Sequence, residues 1–161
     1  LAVTFPKSVG QVPFAFPFKP GSDSKGRVRV DGVLYPFGYG LSYTTFEYSA
    51  LKISKPVIGP QENMTLSCIV KNTGKRAGDE VVQLYIRDDF SSVTTYDKML
   101  RGFERIHLQP GEEQTISFTL TPQDLGLWDK NNQFTVEPGS FSIMIGASSQ
   151  DIRLKGSFEV Q

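Results

Sequence analysis

The sequence is poor in the groups that most often carry chemistry. Its 161 residues hold one cysteine, one histidine and one tryptophan. One cysteine makes no internal disulfide, and one thiol with one imidazole cannot complete a zinc site. Excess charge of one sign is missing too. The 17 Lys and Arg balance 17 Asp and Glu, which leaves no electrostatic case for nucleic acid or an anionic membrane surface as a partner. No apolar run approaches the ~18–20 residues that span a bilayer, so a soluble chain is expected. A chain of this size buries about two-thirds of its extended surface, enough for one core without staples. The sequence opens at Leu1 with neither an initiator methionine nor a signal peptide, and it reads as a piece of something longer.

What is present divides at about residue 45. Residues 1–45 contain five of the ten prolines and six of the fifteen glycines, a density that forbids a long helix. Five phenylalanines (Phe5, Phe14, Phe16, Phe18 and Phe37) lie in the same stretch. A disordered linker is poor in aromatics, so the segment reads as an extended arm whose rings pack against the following domain or a neighbour. Its five basic and two acidic residues make too small an excess to name a partner. Packing on the following domain is expected near residues 35–45, with disorder or intermolecular packing for the first twenty.

From Phe46 onward apolar residues alternate with polar ones. Phe46, Tyr48 and Ala50 followed by Leu51 and Ile53 predict a strand with a bulge where the phase changes. Met64, Leu66, Cys68 and Val70 form a clean period-two run that ends at the turn Asn72-Thr73-Gly74. Residues 80–87 show Val82, Leu84 and Ile86 on one face and Val81, Gln83 and Tyr85 on the other. Leu100, Phe103, Ile106 and Leu108 suit a further strand, then Ile116, Phe118 and Leu120, and then Phe141, Ile143 and Ile145. Ile152 with Leu154, and Phe158 with Val160, suggest a last pair around Lys155-Gly156. Only residues 122–125 offer a helical turn. About seven or eight strands with turns roughly every ten residues indicate an antiparallel sandwich.

Candidates for chemistry are thin. Nucleophilic catalysis needs a base beside Ser or Cys, and the sole imidazole, His107, reads as a solvent-facing strand residue. Cys68 shares the apolar face of its strand and reads as a structural thiol. Asp88-Asp89 and Glu112-Glu113 are adjacent, but neighbouring strand residues point to opposite faces, whereas glycoside hydrolysis needs two carboxyl groups facing each other across a cleft. No phosphate-binding glycine motif exists. Asn63-Met64-Thr65 is a glycosylation sequon, relevant only in a eukaryotic secretory route. Exposed aromatics could stack on sugar rings, and Trp128 and Tyr85, with Tyr96 and Phe90, fall near strand ends or turns. Against this, the sole Trp of a sandwich is usually a core residue, and Tyr85 can pack on the Phe-rich arm instead.

The run Leu34-Tyr35-Pro36-Phe37-Gly38-Tyr39-Gly40-Leu41-Ser42-Tyr43-Thr44 resembles the signature joining the two C-terminal domains of glycoside hydrolase family 3. Three stretches follow that are similar to its fibronectin type III-like domain, in order: Asn72-Thr73-Gly74 with residues 77–85, residues 98–106 with Leu108 and Pro110-Gly111-Glu112, and Leu127-Trp128-Asp129. Residues 4–13 resemble the tail of the preceding α/β sandwich domain. One departure is Tyr96-Asp97-Lys98, where the family usually has a proline before the lysine.

The resemblance implies an all-β fold: a fibronectin type III-like (immunoglobulin-like) antiparallel β-sandwich over residues 46–161, preceded by the irregular arm of residues 1–45. It implies a retaining, exo-acting β-glucosidase or β-xylosidase as parent, without metal or organic cofactor, and periplasmic or secreted. The catalytic Asp and Glu of that family lie upstream of Leu1, so no catalytic residue is expected here. The partners implied are the catalytic domains of the same polypeptide, with a homodimer contact as a further option. Phe14, Phe16, Tyr35, Phe37 and Tyr39 are then candidates for interdomain packing. The competing reading is an autonomous glycan-binding module using Trp128 and Tyr85; a self-sufficient enzyme and an adhesin-like domain are weaker alternatives.

Overall fold

A computed structural model describes residues 1–11, 16–20 and 32–161. The strands are β1 (Phe5–Pro6), β2 (Val33–Tyr35), β3 (Phe46–Ile53), β4 (Val57–Ile58), β5 (Met64–Asn72), β6 (Gly78–Asp88), β7 (Met99–Leu108), β8 (Glu113–Leu120), β9 (Leu127–Trp128), β10 (Phe134–Thr135), β11 (Gly139–Gly146) and β12 (Ile152–Val160). One helical turn, α1 (Pro122–Leu125), follows β8.

Two sheets face each other. One has five strands in the order β4-β12-β11-β6-β7, the other three in the order β3-β5-β8. All long pairings are antiparallel; the short β4 runs parallel to β12. Period two explains the layering, because residues two apart share a face. Met64, Leu66, Cys68 and Val70 of β5 are buried, as are Val82, Leu84 and Ile86 of β6 and Phe141, Ile143 and Ile145 of β11. Phe141 and Phe158 stack at 5.3 Å between centroids. Burial pushes the Cys68 thiol up to about 11, in keeping with a structural role.

The phase change in β3 is a bulge. Ser49 pairs with Ile69 and Lys52 with Ser67, so Ala50 and Leu51 together oppose one residue of β5. Ala50 takes a left-handed φ of 51°, and the inward face passes from Tyr48 to Leu51 and Ile53, which pack on the core. A second irregularity leaves Arg101 extra in β7, between Gly102 opposite Leu84 and Leu100 opposite Tyr85.

The expected pair around Lys155-Gly156 is a single strand, β12, paired along its length with β11. Gly156 does not break it. A Cβ there would approach Leu51 and Ile53 to about 3.0 Å and 3.1 Å, so the glycine makes room for the bulged strand of the opposite sheet.

The first residues of the arm also differ from expectation. Leu1 to Gln11 lie against residues 32–39 through β1–β2 pairing and terminal hydrogen bonds. Residues 16–18 reach the sandwich itself, where the Asp97 amide donates to the Phe18 carbonyl at 2.9 Å.

Candidate functional site

The outer face of β6 should, by period two, meet solvent at Val81, Gln83, Tyr85 and Arg87. Instead Gln83 is 3% exposed and Tyr85 fully buried. The strap at residues 37–38 crosses this face. Gly38 adopts φ 82°, and a Cβ on it would land on the Gln83 side-chain amide; only glycine permits both the backbone turn and the close approach. Gln83 Nε2 donates to the Gly38 carbonyl at 3.1 Å and to the Ala147 carbonyl at 2.6 Å, while its Oε1 accepts the Tyr85 hydroxyl at 2.5 Å. One glutamine therefore joins the strap, β6 and the β11–β12 connection. The Ser149 amide adds a bond to the Phe37 carbonyl at 2.9 Å.

Aromatic rings seal this seam. Phe16 stacks on Phe37 at 4.6 Å and meets Tyr85 edge-on at 5.7 Å. Tyr35 lies 4.9 Å from Tyr39 and takes Phe5 edge-on at 6.1 Å. The Leu1 amino group donates to the Tyr39 carbonyl and the Gly38 amide to the Leu1 carbonyl, both at 2.7 Å. Phe16, Tyr35, Phe37 and Tyr39 thus come together around one strap; Phe14 lies outside the described residues.

Tyr85 as a glycan contact is corrected by this geometry. Phe16 covers its ring and Gln83 holds its hydroxyl, which leaves no face for a sugar. Burial also pushes its phenol up. Trp128 is different: it is 65% exposed.

Sequence reasoning missed two features. Asn72, legible only as a turn residue, is fully buried. Its Nδ2 donates to the Arg76 and Leu108 carbonyls at 2.8 and 2.9 Å, and its Oδ1 accepts from Thr44 Oγ1 at 2.7 Å and the Gly74 amide at 3.0 Å. That uses all four hydrogen-bonding positions of the amide and ties the strap's far end to the sandwich. The second feature is the apolar outer side of the strap. Leu41 and Tyr43 are 89% and 92% exposed, and Phe103 stands 68% exposed nearby. Leu41 and Phe103 border a groove of about 700 Å³ over Asp79, Arg105 and Arg153. Exposed apolar clusters of this kind mark interaction surfaces, and the -Gly-Leu-Ser-Tyr- spacing was the available signal.

The carboxylates serve the scaffold. Asp89 accepts hydrogen bonds from Ser140 and Ser142, and Glu137 accepts from the Ser92 amide and hydroxyl. Asp88 accepts the Phe90 amide, and burial raises its pKa. These groups brace the loop after β6. His107 sits on the exposed side of β7, its Nδ1 2.8 Å from Asp79 Oδ1. Among the described residues no three His, Cys, Asp or Glu are placed to hold a metal ion, and no helix is long and apolar enough to cross a membrane.

Comparison with known proteins agrees with this architecture. A family model described as a fibronectin type III-like domain matches residues 80–149. A β-xylosidase of Formosa agariphila is 46% identical over 96% of the chain, and the periplasmic β-glucosidase of Salmonella typhimurium is 40% identical over 99%; the match takes up 22% of each relative. A solved β-glucosidase from Erythrobacter marinus superposes with a TM-score of 0.92 at 42% identity, covering 98% of this chain and 21% of that one. The chain spans about a fifth of the length of these relatives, in which the matching region is part of a larger single chain. The protein therefore belongs to the fibronectin type III-like domains carried by β-glucosidases and β-xylosidases of glycoside hydrolase family 3.

Proposed function

We propose that this chain is the non-catalytic accessory domain of a larger family 3 enzyme, a retaining, exo-acting β-glucosidase or β-xylosidase whose catalytic groups lie outside it. Its work is mechanical. Residues 1–45 act as a strap that the sandwich of residues 46–161 grips from one side, through Gln83, Tyr85 and Asn72, while the other side stays free for the neighbouring domains. One observation carries the reading: the strap buries the polar outer face of β6 on its inner side and exposes Leu41 and Tyr43 on its outer side. Apolar area of that kind stabilises a contact by ~25 cal/mol per Å² when covered. Phe16, Tyr35, Phe37 and Tyr39 shape the strap; Leu41, Tyr43 and Phe103 meet the catalytic domains of the same polypeptide. A periplasmic or secreted location follows the Salmonella relative, and a homodimer contact would use the same outer surface. Hydrolysis of β-glycans then belongs to the parent's catalytic site.

The test is the paired variant Leu41→Ser/Tyr43→Ser, introduced both into the full-length parent and into this chain. The parent should lose several degrees of melting temperature, because each kcal/mol is worth roughly 2–4 °C in a domain of this size, while the isolated chain should melt unchanged. Equal melting temperatures and equal kcat/KM for variant and wild-type parent would overturn the proposal. Hydrolysis of an aryl β-glucoside by this chain alone would also overturn it.

A further inference from the structure

The short hairpin of β9 and β10 stands apart from the strap and carries the chain's only tryptophan. Trp128 and Phe134 are direct cross-strand partners, so both rings project from one face of the ribbon. Their centroids are 5.7 Å apart at 64°, and they are 65% and 45% exposed. The loop beneath them is tightly built. Asp129 Oδ1 accepts the Asn131 and Gln133 amides at 2.8 and 2.9 Å, and these bonds, the one from Gln133 foremost, hold its carboxyl below the usual range. Phe134 is seated on Gly126, where a Cβ would enter the ring. Two large aromatics are thus fixed at the surface, where neither serves the core.

Phe134 is also one wall of a groove of about 500 Å³ whose other walls include Gln61, Thr121, Gln123 and Thr135. Among the described residues this lining has amides, hydroxyls, an aromatic ring and the apolar Pro122 and Val136, but no charged side chain. An anion would find no cation in this lining, and a purely apolar ligand would leave its polar groups dry. A neutral ring with one apolar face and hydroxyls around its edge satisfies both halves. We infer that Trp128, Phe134 and the adjoining groove bind a neutral β-linked oligosaccharide, with a pyranose face on the aromatic pair and its hydroxyls on Gln61 and Gln123. The aromatic platform stands on this geometry alone; the β-linkage rests on the proposed parentage.

Because Trp128 is the only tryptophan, its fluorescence reports on this site and no other. Titration of the full chain with xylotetraose or cellotetraose should give a saturable emission change with a half-point near ~1 mM. Phe134→Ala should weaken it about tenfold. Trp128→Ala, with an unchanged far-ultraviolet circular dichroism spectrum, should no longer be retarded in native gels containing soluble xylan or mixed-linkage β-glucan. No saturable change up to ~10 mM, or a Trp128→Ala chain retarded like wild type, would overturn the site. Maltotetraose bound as tightly as the β-linked chains would overturn the linkage assignment while leaving the accessory role of the domain to its own test.

Discussion

In the middle of β6 both faces are buried, by opposite means. Inward, Val82, Leu84 and Ile86 meet the facing sheet in the hydrophobic core, and their own side chains carry no polar group to satisfy. Outward, Gln83 and Tyr85 are buried just as deeply, but under an irregular strap and through hydrogen bonds that have to be completed. The inner face can lose detail and still exclude water. The outer face holds only while each of its bonds is made, because a buried donor or acceptor left alone costs its full desolvation. The core makes the domain, and the seam fastens something to it.

The comparison can be broken first at the core. Leu84→Ala empties a fully buried position and should cost about 2–5 kcal/mol, read as a lower urea midpoint for the whole cooperative transition. Strap and sandwich signals should move together. A loss confined to the strap would mean that the inner face is not what holds the fold.

The outer face should fail differently. Gln83→Leu keeps the volume but leaves the Gly38 and Ala147 carbonyls and the Tyr85 hydroxyl without their partner, at about 1–3 kcal/mol. Here amide exchange at Gly38 and Tyr39 should accelerate well before that of Ile143 or Leu84. Tyr85→Phe removes one of the same bonds and should cost about 1 kcal/mol, and less on the Gln83→Leu background, since the two share an interaction. Full additivity would show that the glutamine and tyrosine act separately, and the seam would then be no network.

This asymmetry also explains what could be read from residues alone. Period two places Leu66, Val82 and Ile143 inside because it reports which face a side chain takes, and the phase change at Ala50-Leu51 reports the bulge for the same reason. It does not report what covers a face. Tyr85 was legible as an outer-face aromatic that the Phe-rich arm could cover, but not that Phe16, 69 positions earlier in the chain, is the ring that covers it. Asn72 looked like an ordinary turn residue because its four hydrogen bonds reach Thr44, Gly74, Arg76 and Leu108, contacts that no local pattern encodes. Gly156 read as a break because the side chains it accommodates belong to the opposite sheet. Trp128 was legible as a turn-side aromatic; its pairing with Phe134 across the hairpin was not.

The smallest test uses two adjacent carboxylates on β6 that face opposite ways. Asp79 lies on the open outer side, where Arg105 donates at 2.6 Å and His107 sits at 2.8 Å; these bonds, that of Arg105 first, hold its pKa below the ordinary 3.8. Glu80 turns toward Tyr48 and Arg153, and burial raises its pKa above 4.5 despite the Val81 amide and Arg153. The signs of their pH effects are therefore opposite. Asp79 adds stability that is present above pH 3.8 and is lost as the pH falls through its lower folded value. Between 4.5 and the raised pKa of Glu80, the folded chain binds the extra proton, so that carboxyl lowers stability as the pH rises. Carboxyl carbon-13 titration should place the two resonances on opposite sides of their ordinary values. Asp79→Asn should lower the neutral-pH urea midpoint slightly, as expected of an exposed pair, and Glu80→Gln should leave it level or raise it. If both carboxyls titrate on the same side, the two faces of β6 do not differ electrostatically at this end, and the contrast between them is confined to the strap-covered middle of the strand.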